Sequence, residues 1–288
     1  MATVLAILSS LCFGLALITG RVGLRSLDAR AGAAISIPCA AVLFLIASPF
    51  AFDVDGLAVE AVAVFAAVGL FFPAVVTLLT FRSNAVLGPT VTSAVSGTAP
   101  LFALLAASQL LGEQIPARAT LSAAAVVVGV ALLSWKKGAA RSVFLGWSLL
   151  WPLSGAVVRG LAQVLAKAGL LIWASPFAAS LIGYAVSSVA VVGVDRARHA
   201  VRQAPTRAAA AWFAATGVLN GCAVLLMYAA LSLAPVWTVA PIVASYPLVT
   251  AMLGAALLHD EEFSWRAACG ALIVVVAIAY LVSAHAGA

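Results

Sequence analysis

LGPTVTSAVSGTAPLFALLAASQLLGE, residues 87–113, decides how this chain is read. It is an apolar run long enough to cross a bilayer. It carries Pro89 and Pro100 and closes on Glu113. A second stretch at 233–261, LAPVWTVAPIVASYPLVTAMLGAALLHDE, repeats it with Pro235, Pro247 and Glu261. The separation is 146 residues between Pro89 and Pro235, 147 between Pro100 and Pro247, and 148 between Glu113 and Glu261. Arg118 and Arg266 keep the match into the following helix. The chain has 288 residues, so an offset near half its length reads as a duplication of the whole protein.

Composition fixes the solvent. The chain is 65% hydrophobic and 8% charged, with mean hydropathy +1.19, whereas soluble domains carry roughly 25% charged residues. It reads as an all-α integral membrane protein, because its apolar runs are span-length and do not alternate as barrel strands do. The formal charge of +6 is spread over short loops and does not imply nucleic-acid binding. Cys12, Cys39, Cys222 and Cys269 fall inside apolar runs without metal spacing and read as small hydrophobes. Residues 1–20 lack a basic leader and a small-x-small cleavage site, and read as the first helix rather than a signal peptide.

Ten spans are expected, near 2–20, 31–52, 57–80, 85–111, 118–135, 143–166, 176–194, 208–230, 234–258 and 265–284. Turn or charged residues separate them, including Arg82 to Asn84, Glu113 to Pro116, and the basic link 195–207. Pro116 and Ser264 stand where helix starts are wanted. The echo extends beyond the proline stretch: FGLALITGRVGL (13–24) pairs at offset 146 with RGLAQVLAKAGL (159–170), matching Gly14 with Gly160, Arg21 with Lys167 and Gly23 with Gly169. The division predicts repeats at 1–138 and 139–288. Five spans per repeat is an odd number, so the second copy enters the membrane from the opposite side. That makes ten transmembrane helices as two inverted five-helix repeats, an architecture of secondary transporters with a substrate site near the midplane.

A ten-span chain with LGPTVTSAVSGTAPLFALL…LGE, its echo, and the glycine-bearing fifth span VVVGVALLS (126–134) resembles the drug/metabolite transporter superfamily, EamA type. The resemblance covers nearly the whole chain. It implies a central cavity bordered by spans one, three, four, six, eight and nine, and export or exchange of a small metabolite whose identity it does not specify.

Charge bias sets the expected orientation. Twelve Lys/Arg fall in loops after odd-numbered spans: Arg21, Arg25, Arg30, Arg82, Lys136, Lys137, Arg141, Arg196, Arg198, Arg202, Arg207 and Arg266. The other side has Arg118 and Lys167, with the acids Asp53, Asp55, Glu60 and Glu113. The positive-inside rule puts both termini outside a cell inner (plasma) membrane, although chains of this resemblance are usually drawn with termini inside.

Arg159 is the sharpest single residue, because an arginine near a span centre costs about 2.5–3.5 kcal/mol on insertion scales and belongs in a bundle interior or wet cavity. Gln163 shares its face at i+4. Together they read as a cationic anchor and hydrogen-bond partner for a carboxylate or phosphate; the bland alternative is an arginine that snorkels to the interface beside Lys167. Asn220, Trp237, Tyr246, Ser96 and Thr98 complete the expected substrate-binding set, weighed against helix–helix hydrogen bonding and back-bonding to the helix itself. Ser93, Thr238 and Ser245 are weaker candidates of the same kind. Pro100 and Pro247 are expected hinges or static kinks. Glu113 and Glu261 read as charges suited to the positive start of the next helix.

No Asp or Glu lies deep in any expected span, so proton-for-cation export lacks its carboxylate, and anionic or zwitterionic metabolites such as amino acids or organic acids are favoured. A lipid-carrier flippase of the same fold is the alternative. An intramembrane enzyme would need a nucleophile–base set or metal ligands, yet His199, His259 and His285 fall in loops or the tail. No cofactor, metal or nucleic acid is expected; the partners are a small-molecule substrate and the bilayer, with the protein a monomer or homodimer.

Overall fold

The computed structural model describes residues 1–133, 147–197, 206–254, 256 and 265–283. Ser134, Lys136, Lys137, Arg141, Arg198, His199, Arg202, His259, Glu261, Ser264 and His285 lie outside these residues, as does the expected repeat boundary after residue 138. Among the described residues the chain is helical, with no strand. In lipid every backbone group must be satisfied within the segment, which a helix does.

Twelve α-helices are described: α1 (Ala2–Gly23), α2 (Ala29–Ala51), α3 (Val59–Phe71), α4 (Ala74–Ser96), α5 (Ala99–Leu110), α6 (Ala117–Leu133), α7 (Leu150–Ile172), α8 (Pro176–Ala197), α9 (Arg207–Leu233), α10 (Val236–Val243), α11 (Tyr246–Leu253) and α12 (Trp265–Ser283). Seven helical stretches are long and apolar enough to cross a membrane, one of them the 52-residue run Val59–Leu110; Ala117–Leu132 and Ala268–Ser283 are shorter apolar helices. Large side chains such as Leu45, Ile46, Leu105, Leu272 and Val276 are exposed, an outer surface that suits lipid.

The expected turn at Arg82 to Asn84 is corrected. Those residues are helical, and α4 kinks instead at Gly88, whose φ of +80° only glycine adopts readily. Pro89 follows, lacking the N–H to continue the ladder. Asn84 is fully buried, donating Nδ2–H to the Leu17 carbonyl. Arg21 donates to the Asn84 and Ala85 carbonyls at 2.8 and 3.3 Å.

The duplication reaches down to single contacts. Lys167 donates to the Leu231 carbonyl at 2.6 Å, the counterpart at offset 146 of Arg21 on Ala85. Asp28 accepts from Ala31 N–H and Ser175 from Ala178 N–H, both starting second helices of a repeat. A Cβ on Gly14 would lie 2.6 Å from Val249 Cβ, and one on Gly160 would lie 2.9 Å from Ala103 N. Val249 and Ala103 are themselves 146 apart. Small residues let the backbones of α1 and α11, and of α7 and α5, approach closely, the usual packing device where water exclusion cannot drive helices together. Each of these two close approaches joins one repeat to the other, so the two copies are interleaved rather than lying side by side.

Spans four and nine are each broken near the middle. α4 gives way to α5 around Gly97 and Thr98, and α10 to α11 around Ala244 and Ser245, with Pro100 and Pro247 in the first turn of each second half. Proline tolerates that position because its N–H is not needed there. Thr98 donates to Val95 O and Ser245 to Ile242 O, each at 2.7 Å, taking up carbonyls at the break.

Candidate functional site

Arg159 sits two residues before the middle of α7 and is 8% exposed. Its guanidinium lies over the rings of Phe13, Tyr246 and Phe72, at 5.0, 5.6 and 5.9 Å from their centroids. Contacts of this kind are worth about 2 kcal/mol each when desolvated, which offsets part of the cost of a buried charge. Phe13 is the residue equivalent to Arg159 in the first repeat, so the two copies meet at this point. Among the described residues Arg159 makes no ion pair, and its Nε–H has no hydrogen-bond partner.

Two adjoining hollows open around it. One is lined by Phe72, Val76, Thr77, Tyr184 and Val224, the other by Ala16, Leu17, Ser96 and Tyr246; Phe13, Thr80, Phe81, Arg159 and Asn220 border both. Their volumes are about 30 and 20 Å³, room for a water or two each, so the centre is contracted in this conformation.

Polar atoms without partners gather here. The hydroxyls of Tyr184 and Tyr246 are buried and unpartnered, as is Gln163 Oε1, which borders neither hollow but lies one turn on from Arg159 on the same face. Tyr246 interacts with Ser96 without completing a hydrogen bond of ordinary geometry. Tyr246 opens α11 and Ser96 closes α4, so both stand at the breaks of spans nine and four. A break frees backbone groups and admits polar side chains at membrane depth, which is where discontinuous helices hold substrates.

The remaining expected residues divide. Asn220 borders both hollows. Thr98 does not line them, its hydroxyl being turned back on Val95 O. Trp237 stands in the first turn of α10, on the far side of the break from Tyr246, and borders neither hollow. There its ring meets the Arg118 guanidinium at 5.6 Å. Glu113 accepts from Val236 N–H at 3.0 Å and Trp237 N–H at 3.4 Å. Glu113 therefore caps α10 of the other repeat rather than the helix that follows it, α6. The distance between repeats in sequence hid that pairing.

Tyr184 was missed by the sequence reading. Span seven carries no charge or proline at that depth, and the resemblance does not place it at the cavity. Its position follows from Pro73, which has no N–H for the Gly69 carbonyl four residues earlier. The Ser187 hydroxyl donates to that carbonyl, and Ala74 N–H donates to Ser187 Oγ at 3.2 Å. The break between α3 and α4 is thus pinned to α8, and Tyr184, one turn before Ser187, is carried to the hollow beside Phe72.

The profile of the EamA-like transporter family matches residues 1–135 and 146–283. Among curated proteins no significant match was found. The fold is similar to that of a chain of known crystal structure, with TM-score 0.76 over 98% of this chain and 97% of that one at 14% identity. That identity shows the shared fold alone. With both halves matched and a polar centre lying between interleaved copies, the chain belongs to the EamA-like transporter family, as a multi-pass membrane protein of the drug/metabolite transporter superfamily.

Proposed function

We propose that the protein is a secondary transporter, exporting or exchanging a small anionic or zwitterionic metabolite such as an amino acid or organic acid by alternating access. The observation that carries this reading is the Arg159 guanidinium, near the middle of α7, held on three rings with no counter-carboxylate among the described residues. A permanent cation kept from water on π faces exchanges those contacts for a stronger charge-assisted pair when a carboxylate arrives. Gln163, Asn220, Tyr246 and Ser96 are the companions that orient the ligand, and Pro100 and Pro247 mark the breaks at which spans four and nine flex.

The reading uses ten crossings. Val59–Leu110 is about 78 Å of helix, more than twice a 30 Å hydrocarbon core, and supplies two of them. The short helices Ala117–Leu132 and Ala268–Ser283 supply two more. The reading sets the protein in an inner (plasma) membrane, and the distribution of Lys and Arg supports both termini outside. The contracted hollows fit an occluded centre that widens when either end opens.

The test is a thermal-shift screen of detergent-purified protein against carboxylates, amino acids, phosphorylated compounds and quaternary ammonium compounds, with Arg159→Ala alongside. Stabilisation of the wild type by a carboxylate, absent in Arg159→Ala, is the expected outcome. Stabilisation by quaternary ammonium compounds with indifference to carboxylates contradicts the reading.

A further inference from the structure

We propose that Tyr184 is a substrate-binding residue of the Arg159 site, and that the site selects a carboxylate carrying a neighbouring hydroxyl or ammonium group. This rests on the anion reading above and narrows it. Four side chains more than nine-tenths buried present polar atoms that no protein group satisfies: Arg159 Nε, Gln163 Oε1, Tyr184 Oη and Tyr246 Oη. Unsatisfied buried groups are rare, and each one costs free energy unless a ligand or water completes it. Arg159, Tyr184 and Tyr246 border the pair of hollows and Gln163 lies one turn on from Arg159 on the same helix face, a grouping that describes a missing polar molecule rather than four separate accidents.

Their chemistry gives that molecule's outline. Arg159 only donates, and the two phenols donate readily, so three groups call for acceptor oxygens. Gln163 Oε1 only accepts, so one group calls for a donor. A plain carboxylate answers the first three and leaves Gln163 orphaned. A 2-hydroxy or 2-amino carboxylate answers all four, while an amine faces the guanidinium with like charge.

Tyr184 is built for the role. It is 2% exposed, its ring packs on Phe44 at 5.5 Å, and it borders one hollow together with Arg159 and Asn220, within electrostatic reach of the guanidinium. Ser187, one turn later, is tied to both sides of the Pro73 break. The hydroxyl is thus held in place before the ligand arrives, and little ordering is lost on binding.

The probes are propanoate, lactate, alanine and ethylamine, titrated at matched ionic strength against the purified full chain by thermal shift. Wild type is compared with Tyr184→Phe, Tyr228→Phe and Arg159→Ala. Lactate and alanine should stabilise the wild type more than propanoate, and ethylamine should not stabilise it. Tyr184→Phe should melt no lower than wild type without ligand, since the hydroxyl it loses has no protein partner. It should also weaken lactate by about tenfold, the order for one hydrogen bond to an ionised group. Tyr228→Phe, a neighbouring buried tyrosine that borders neither hollow, should leave lactate affinity unchanged.

Arg159-dependent binding that Tyr184→Phe leaves intact overturns the role of Tyr184 while the anion reading stands. A lower ligand-free melting temperature for Tyr184→Phe overturns it too, because the hydroxyl would then be serving the fold. Propanoate equal to lactate and alanine overturns the selectivity for a neighbouring donor. Carboxylate binding that survives Arg159→Ala, or no carboxylate binding at all, overturns the anion reading itself.

Discussion

Arg159 concentrates the account at the scale of one residue. A buried charge without a counter-ion is held for function at a cost in stability. Arg159→Met, which keeps an apolar stem of similar length, is therefore expected to melt at or above the wild-type temperature while losing stabilisation by carboxylates; a clear fall in the ligand-free melting temperature would make Arg159 a structural residue. Gly160, its neighbour, is constrained differently. A Cβ there meets Ala103 N and Ala99 O at 2.9 Å, backbone atoms that cannot swing aside. Gly160→Ala is expected to destabilise by about 1–3 kcal/mol. Gly193→Ala, with nothing within 4 Å, should be neutral or stabilising by up to about 1 kcal/mol. Thermal unfolding of the pair in one detergent checks both. Arg159 was legible in the sequence because a charge deep in an apolar run has few uses. Tyr184 was not, since an apolar body with one hydroxyl looks the same facing lipid, core or cavity. Trp237 stands in α10 and Tyr246 across the break in α11, a separation in depth that a string of residues does not give.

Helices in this protein are organised by where their ladders fail. Pro73 leaves the Gly69 carbonyl without a partner, and Ser187 from α8 supplies one. Ser187→Ala would orphan that carbonyl and remove the acceptor of Ala74 N–H, at an expected cost of about 1–3 kcal/mol. Because the same contact carries Tyr184 to the hollow, it should also weaken the best carboxylate found by the thermal-shift screen. Unchanged stability and affinity would remove Ser187 from the account. The prolines of spans four and nine were legible as breaks, and they do lie in the first turns after interruptions at matched positions. The kink at Gly88 was legible only as a Gly-Pro pair, and the charged residue Arg82 pulled the expected turn six residues too early. What the sequence could not convey is that Arg21 reaches across to the Asn84 and Ala85 carbonyls. A contact between residues more than sixty apart in sequence leaves no local pattern.

Seen whole, the molecule is two interleaved copies held at one end by a polar clasp. Glu113 of the first copy caps α10 of the second, and Lys167, within electrostatic reach of Glu113, holds the Leu231 and Ala234 carbonyls where α9 meets α10. Glu113→Ala is expected to lower stability by about 0.5–2 kcal/mol through loss of that cap; an unchanged melting temperature would argue that the clasp carries no net stabilisation. The duplication itself was legible from spacing alone, because the offset of 146 to 148 persists through prolines, glycines and charges. The interleaving was not, since it depends on which copy each close approach joins.

The most direct test of alternating access at Arg159 uses a thiol at Thr80, which borders both hollows. With Cys12, Cys39, Cys222 and Cys269 replaced by alanine, Thr80→Cys is reacted in sealed vesicles with a membrane-impermeant thiol reagent from either side. The account predicts slow labelling from both sides, because a contracted centre opens in turn to each. Labelling from one side only, or from neither, would contradict it.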